Sequence, residues 1–327
     1  MKLILSMSAA VLIWSLYPLG AAIGLQSMSS VEMILIVYII AGFGATALTL
    51  GYLAKNKLIK PALEIRKTLD RKAYIIIIAS GIVGVLCHGF FIFALTLANK
   101  GGVSLLYESW PVLAIIATPF LMKKTWKEVS FKEFMVSIIA LVGVGVIILS
   151  DEQVGFSFGK DNLLEDKMDL TTIGGYILAF AGAYMLALVV ITKAAFSEYF
   201  EGLNDTLGAT LIGEMLSRII CVIVILTLFI VFNIKVTESN IDWAACFFIG
   251  FIVFVLGGAL YTYALLLSTS PTIHVLNYFV PVLAVIWLWF AGETVVNTGL
   301  FIGGGIVTLC NIYLIIVGRK AKFSEDL

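Results

Sequence analysis

The ten residues "PVLAIIATPF" (111–120) return as "PVLAVIWLWF" (281–290), 170 positions further on. At the same offset, "FALTLANKG" (93–101) lies on "YALLLSTSP" (263–271). From Gly81 to Lys123 the gapless overlay gives 14 identities in 43 positions. Apolar bias alone accounts for about half of that or less, so the chain reads as an internal duplication. The copies cover about 1–150 and 171–327, with an acidic segment, 151–170, between them.

The composition says where such a chain lives. Of 327 residues, 61% are hydrophobic and 13% charged. A soluble domain carries about 25% charged residues. The apolar residues gather in ten runs, about 3–24, 31–54, 73–97, 103–122, 133–150, 171–193, 206–232, 244–267, 271–291 and 298–317. Runs of about 20 residues span a ~30 Å hydrocarbon core as helices. The expected fold is therefore all-α: a polytopic membrane protein of ten helices, whose partner is the lipid bilayer. The first run has no small-residue cleavage site behind it and reads as a retained helix. Five spans per copy is an odd number, so the copies enter the membrane in opposite senses. Inverted repeats of this kind recur in secondary transporters, with the substrate site near the midplane between the halves.

Charge gives the orientation. "KNKLIKPALEIRKTLDRK" (55–72) carries seven Lys/Arg, whereas "DEQVGFSFGKDNLLEDKMDL" (151–170) carries six acids and two lysines. Lysine and arginine mark the cytoplasmic side. With both termini inside, 16 of the 21 basic residues fall in inside segments, Lys193 among them, and four fall outside. The expectation is a multi-pass protein of the cell (inner) membrane with cytoplasmic termini. A net charge of zero gives no electrostatic footprint for nucleic acid. The cysteines, Cys87, Cys221, Cys246 and Cys310, all lie in apolar runs without a CxxC pair, so neither a disulfide framework nor a metal centre is expected. No HExxH, no paired intramembrane Asp and no Ser/His motif is present, and neither an enzyme nor a cofactor is expected.

The fourth run contains one carboxylate. Ser104, Tyr107, Glu108 and Pro111 are spaced to share one helical face. The overlay puts His274, Asn277, Tyr278 and Pro281 at the matching positions. Two helices that each confine their polar groups to one stripe read as cavity walls. A packing kink repaired by a hydroxyl or water is the other reading. Pro111 and Pro281 each remove a backbone donor and free a carbonyl four residues back, at Tyr107 and Asn277. Glu108 reads as a substrate-amine ligand or a proton carrier on one side. On the other it reads as a carboxylate that reaches the outer interface or caps a neighbouring helix. His88 could carry protons or serve as a hydrogen-bonded structural imidazole. Glu214 and Arg218, at i and i+4, read as a structural ion pair. Trp14, Tyr17, Trp110, Tyr184 and Tyr261 complete the cavity candidates. The glycines of "LVGVGV" (141–146) and "IGGGI" (302–306) suit close helix contact.

The ten-span pattern, "SWPVLAIIATPF" (109–120), "NYFVPVLAVIWLWFAGE" (277–293) and the closing Gly292-Glu293 resemble the EamA-like part of the drug/metabolite transporter superfamily. "IWS" (13–15), Trp110-Pro111, "KKTW" (123–126), the long acidic loop and "NYFVPVL" resemble its aromatic amino-acid exporter branch, the YddG type. The resemblance implies an exporter of amino acids or similar small metabolites, working by alternating access. Two positions depart from it: Lys123 stands where the second copy has Glu293, and Glu108 stands where an uncharged, often aromatic, residue is expected. The departure at Glu108 favours an amine or a proton over an aromatic ring, and keeps a multidrug or cationic-metabolite exporter as the alternative.

Overall fold

The structure, a computed structural model, describes residues 2–110, 113, 131–149, 170–234, 241–267 and 279–323. All regular structure among these residues is helical. In chain order the helices are α1 (Lys2–Ser15), α2 (Tyr17–Gly24), α3 (Ser30–Lys55), α4 (Ile59–Thr68), α5 (Arg71–Leu97), α6 (Lys100–Tyr107), α7 (Phe131–Leu149) and α8 (Leu170–Ser197). A 3₁₀ segment, Glu198–Leu203, leads into α9 (Thr206–Val231). Then follow α10 (Trp243–Phe247), a π-helical stretch (Phe248–Gly257), α11 (Gly258–Leu267), α12 (Val280–Phe290) and α13 (Thr298–Phe323).

Six stretches among the described residues are long and apolar enough to cross a membrane: Leu3–Gly24, Ser30–Lys55, Arg71–Leu97, Leu170–Leu203, Thr206–Val231 and Trp243–Ala264. The protein is an all-α polytopic membrane protein. Parts of the fourth, fifth and ninth expected runs lie outside the described residues. Shorter apolar helices mark the fifth, ninth and tenth runs, at Ile138–Ile147, Val280–Phe290 and Thr298–Cys310.

Two of the expected spans are interrupted, each near a proline. The first is two helices, with the break at Leu16. Pro18 has no N–H, and its ring crowds the Trp14 carbonyl four residues back, so the chain restarts at Tyr17 with the proline in the first turn. In the fourth, α6 stops at Tyr107, and Glu108 and Ser109 form a turn. Tyr107 is the residue whose carbonyl Pro111 would crowd. Ser104 and Tyr107 therefore share a helix, but Glu108 caps its end rather than continuing its face. Pro281 likewise stands in the first turn of α12, where a missing donor costs nothing, and not in mid-helix as expected.

The chain divides into two compact units, Met1–Gly89 with Leu188–Ser268 and Phe90–Ala187 with Thr269–Leu327. In the first, α3 runs antiparallel to α9. The Thr49 hydroxyl donates to the Leu211 carbonyl at 3.0 Å, while Gly42 lies against Val222 and the Arg218 backbone. The π-helical stretch packs on α3 so closely that a Cβ on Gly250 would stand 2.6 Å from the Val37 carbonyl. At one end of the unit Leu53, Ala73, Ile77, Phe196, Phe200 and Ile212 form an apolar cluster, and Tyr52 donates to Asp205. These contacts bring segments 55–72 and 198–205 to one side. At the other end Gly24 meets Ala245, which brings the loops after α2 and before α10 together. Both pairings follow the alternation of sides expected from the span order.

In the second unit α7 and α13 cross on bare backbone: a Cβ on Gly303 would stand 2.5 Å from the Gly143 carbonyl. That is the close contact the glycine-rich stretches predict. Asn99 caps α6 and accepts from Gly102 N–H, and Thr294 donates to the same side-chain oxygen while accepting from Gly101 N–H. Lys100 is ion-paired with Glu293. The loops before α6 and after α12 thus share a side, again in step with the span order.

Candidate functional site

In the first unit, polar and aromatic side chains from separate helices converge on Phe254. Its ring lies 4.0 Å from the His88 ring, 5.4 Å from Tyr17 and 5.7 Å from Tyr38, centroid to centroid. The Arg218 guanidinium carbon sits 5.0 Å from the same ring. This is within cation–π range. Trp14 stacks on Tyr261 at 4.6 Å.

The π-helical stretch explains why the donors gather here. Where i→i+5 pairing returns to i→i+4, one amide is asked to serve two carbonyls, and a carbonyl is left over. Near that exit two side chains supply donors. Trp14 Nε1–H donates to the Val253 carbonyl at 3.3 Å, and Arg218 Nη2–H to the Phe254 carbonyl at 3.0 Å. The glycines that follow make room: a Cβ on Gly257 would stand 2.7 Å from Trp14 Nε1, and one on Gly258 would stand 3.2 Å from the Glu214 carboxylate.

Glu214 holds two cations at once. Its Oε1 accepts from Arg218 Nε–H at 2.7 Å and its Oε2 from Lys193 Nζ at 2.7 Å. All three residues are buried. The i,i+4 pair is therefore as expected, but Lys193 is not a solvated residue of an inside loop. It lies within α8, buried against Glu214, because the helix runs on to Ser197. The inside count of basic residues falls from 16 to 15, still against four.

His88 is buried and joined to Tyr38. The Tyr38 hydroxyl donates to the Gly84 carbonyl at 2.5 Å, and His88 Nδ1 lies 2.9 Å from that oxygen and 3.2 Å from the hydroxyl. With the tyrosine proton on Gly84, Nδ1 carries the imidazole proton and Nε2 presents its lone pair. Among the described residues nothing donates to Nε2.

The second unit holds the other candidates. Tyr107, Glu108 and Trp110 are all buried, and Tyr107 stacks on Phe91 at 4.2 Å. The Trp110 side chain lies beside the Glu108 carboxylate. Among the described residues no cation pairs with Glu108. Tyr184 is the most open candidate, 43% exposed. Pro111, His274, Asn277 and Tyr278 lie outside the described residues. The structure thus brings Trp14, Tyr17, His88 and Tyr261 around one set of helices. It adds Tyr38, Lys193 and Phe254, which the sequence reading had not picked out. Tyr38 and Phe254 carried no signal, being aromatics in apolar runs. Lys193 carried one, as a cation at the very end of a span.

The EamA-like transporter family model matches residues 1–149. The match supports a solute-transporter role, and the family is one of transporters, not enzymes. No curated protein matches the chain. One solved crystal structure, 18% identical, covers 98% of this chain and is itself covered to 98%, with a TM-score of 0.60. At that identity the likeness speaks for the fold alone.

Proposed function

We propose that the chain is a secondary transporter that exports amino acids or similar small metabolites by alternating access, built from two inverted repeats over 1–150 and 171–327. The observation that carries this reading is the buried polar cluster on membrane-crossing helices. His88, Lys193, Glu214 and Arg218 are all buried on stretches that the bilayer would otherwise keep apolar. Such groups are expensive in a membrane and mark substrate or ion pathways. The match of residues 1–149 to a transporter family supports the same reading. On it, Trp14, Tyr17, His88, Tyr107, Glu108, Trp110, Tyr184, Tyr261, His274, Asn277 and Tyr278 line the pathway. Pro111 and Pro281 supply its breaks, and Glu108 and His88 are the proton-coupling groups. The membrane is the cell (inner) membrane, with both termini cytoplasmic.

A specific observation keeps a second substrate class in view. Glu108 is buried beside Trp110 without a cation among the described residues, a setting that suits an amine-bearing or cationic ligand. Purified protein in proteoliposomes, offered a panel of labelled amino acids and organic amines, tests both. Uptake of amino acids supports the first reading, uptake of amines alone the second, and movement of neither overturns transport. A reporter fused after Arg319 should score cytoplasmic, and a periplasmic signal there would invert the topology.

A further inference from the structure

We infer that Lys193 and Arg218 form a binding site for a ligand carboxylate, with Glu214 as the acceptor that holds both cations while the ligand is absent. This rests on the transport reading and names the chemistry of one end of its substrate.

The argument starts from charge. Two formal cations share one carboxylate, and the three residues are 6%, 3% and 2% exposed for Lys193, Arg218 and Glu214. A buried charge is stable when paired, and here one cation exceeds the pairing. Among the described residues of this unit the other buried acid is Glu32. It is committed to the capping box with Ser29 at the start of α3. Arg218 meets α3 beside Gly42, ten residues along the helix, or about 15 Å at 1.5 Å per residue. Glu32 does not complete the balance.

Hydrogen-bonding capacity points the same way. An ammonium has three donors and a guanidinium five. Among the described residues Lys193 Nζ has one acceptor, Glu214 Oε2. Arg218 has two, Glu214 Oε1 and the Phe254 carbonyl. The remaining donors call for oxygen acceptors, and the surplus charge calls for an anion. A carboxylate supplies both at once, and Arg matches its planar fork. The neighbours are the Phe254 ring under the guanidinium, with Tyr17, Tyr38 and His88 around that ring. They offer an apolar and aromatic wall to the rest of such a molecule.

A carboxylate arriving here makes two cations and two anions, and Lys193 passes from Glu214 to the ligand. The site thus binds an acid more strongly than its amide, and it needs the cation at position 193.

The test uses the full chain in detergent. Thermal unfolding is followed with L-phenylalanine and 3-phenylpropionate as carboxylate probes, L-phenylalaninamide as their uncharged-end counterpart, and chloride as a simple anion. The expected result is protection by the two carboxylates and none by the amide or chloride. Lys193→Met leaves Glu214 and Arg218 paired and should weaken the carboxylate effect about tenfold or more, while Lys193→Arg keeps it. Glu214→Gln should unfold at lower temperature and be rescued by the carboxylates but not by the amide, an outcome that a purely structural cluster would not give. Equal protection by amide or chloride overturns the inference. So does the absence of protection by either carboxylate in both wild type and Glu214→Gln. If carboxylates protect through Lys193 while proteoliposomes move no solute, transport falls and the site stands. If solutes move at rates blind to amidation and to Lys193→Met, the site falls and transport stands.

Discussion

Two buried carboxylates, one in each unit, are handled in opposite ways. Glu214 is surrounded by charge: Lys193 and Arg218 take one oxygen each, and the arginine is further tied to the Phe254 carbonyl and ring. Glu108 has a tryptophan beside it and no cation among the described residues. The first belongs to a network whose parts hold one another in place. The second sits at a broken helix end, where the chain turns before Pro111. A network of this kind is costly to open at its shared carboxylate, because removing Glu214 strands both cations. A lone group can change its partner or its proton without unravelling its surroundings. The contrast separates a charge kept for binding and architecture from a charge kept for exchange.

The largest expected effect tests the network. Glu214→Ala strands Lys193 and Arg218 together in a buried site and should cost about 3–5 kcal/mol, read as a fall in unfolding temperature in detergent. Lys193→Met is the control. It leaves one cation on one carboxylate and fills the space with an apolar stem of similar length, so its stability should stay within about 1 kcal/mol of wild type. If both variants lose the same stability, the three residues do not work as a shared pair and the contrast with Glu108 collapses.

Glu108→Gln should act the other way round. The amide keeps the size of the side chain and breaks no ion pair among the described residues, so its cost in stability should be under about 1 kcal/mol. Transport at neutral pH should nonetheless drop several-fold, because an amide neither carries a proton nor pairs with an amine. Wild-type rates and an unchanged pH profile in this variant would make Glu108 a structural capping residue.

Much of this was legible in the sequence, for physical reasons that differ by residue. Periodicity and run length located the helices, because the bilayer fixes the length of an apolar helix. The Glu214–Arg218 pair was legible because i,i+4 neighbours meet on any helix. Pro111 was legible as a lost backbone donor, since a missing donor acts locally, but it was read as a kink within a helix, and the break before Pro18 was not anticipated. Lys193 was misplaced in an inside loop because its partner is 21 residues away on another helix, and no local spacing encodes that contact. The π-helical stretch was invisible too. "FIGFIVFVLG" (248–257) is an ordinary apolar run, and its wider pairing shows only in the carbonyls that Trp14 and Arg218 come to meet. The polar face shared by Ser104, Tyr107 and Glu108 was half legible. The spacing is real, but the helix ends before the third residue joins it.

The smallest expected effect concerns the third ionic contact, between Lys100 and Glu293, which links the loops flanking α6 and α12 in the second unit. Both side chains reach solvent, 28% and 13% exposed, unlike the buried cluster in the first unit. Water and salt screen such a pair, and holding two long side chains costs entropy, so Lys100→Gln should change stability by about 0–1 kcal/mol. The neighbouring contacts also keep this junction together without the charge, since Thr294 still bridges the Asn99 side chain and the Gly101 amide. Thermal unfolding at low and high salt checks the point: wild type should lose its small advantage over Lys100→Gln as salt is raised. A gap that persists in high salt would mean the pair is shielded from solvent in the membrane. It would then join the Glu214 carboxylate among the charges that cannot be removed cheaply.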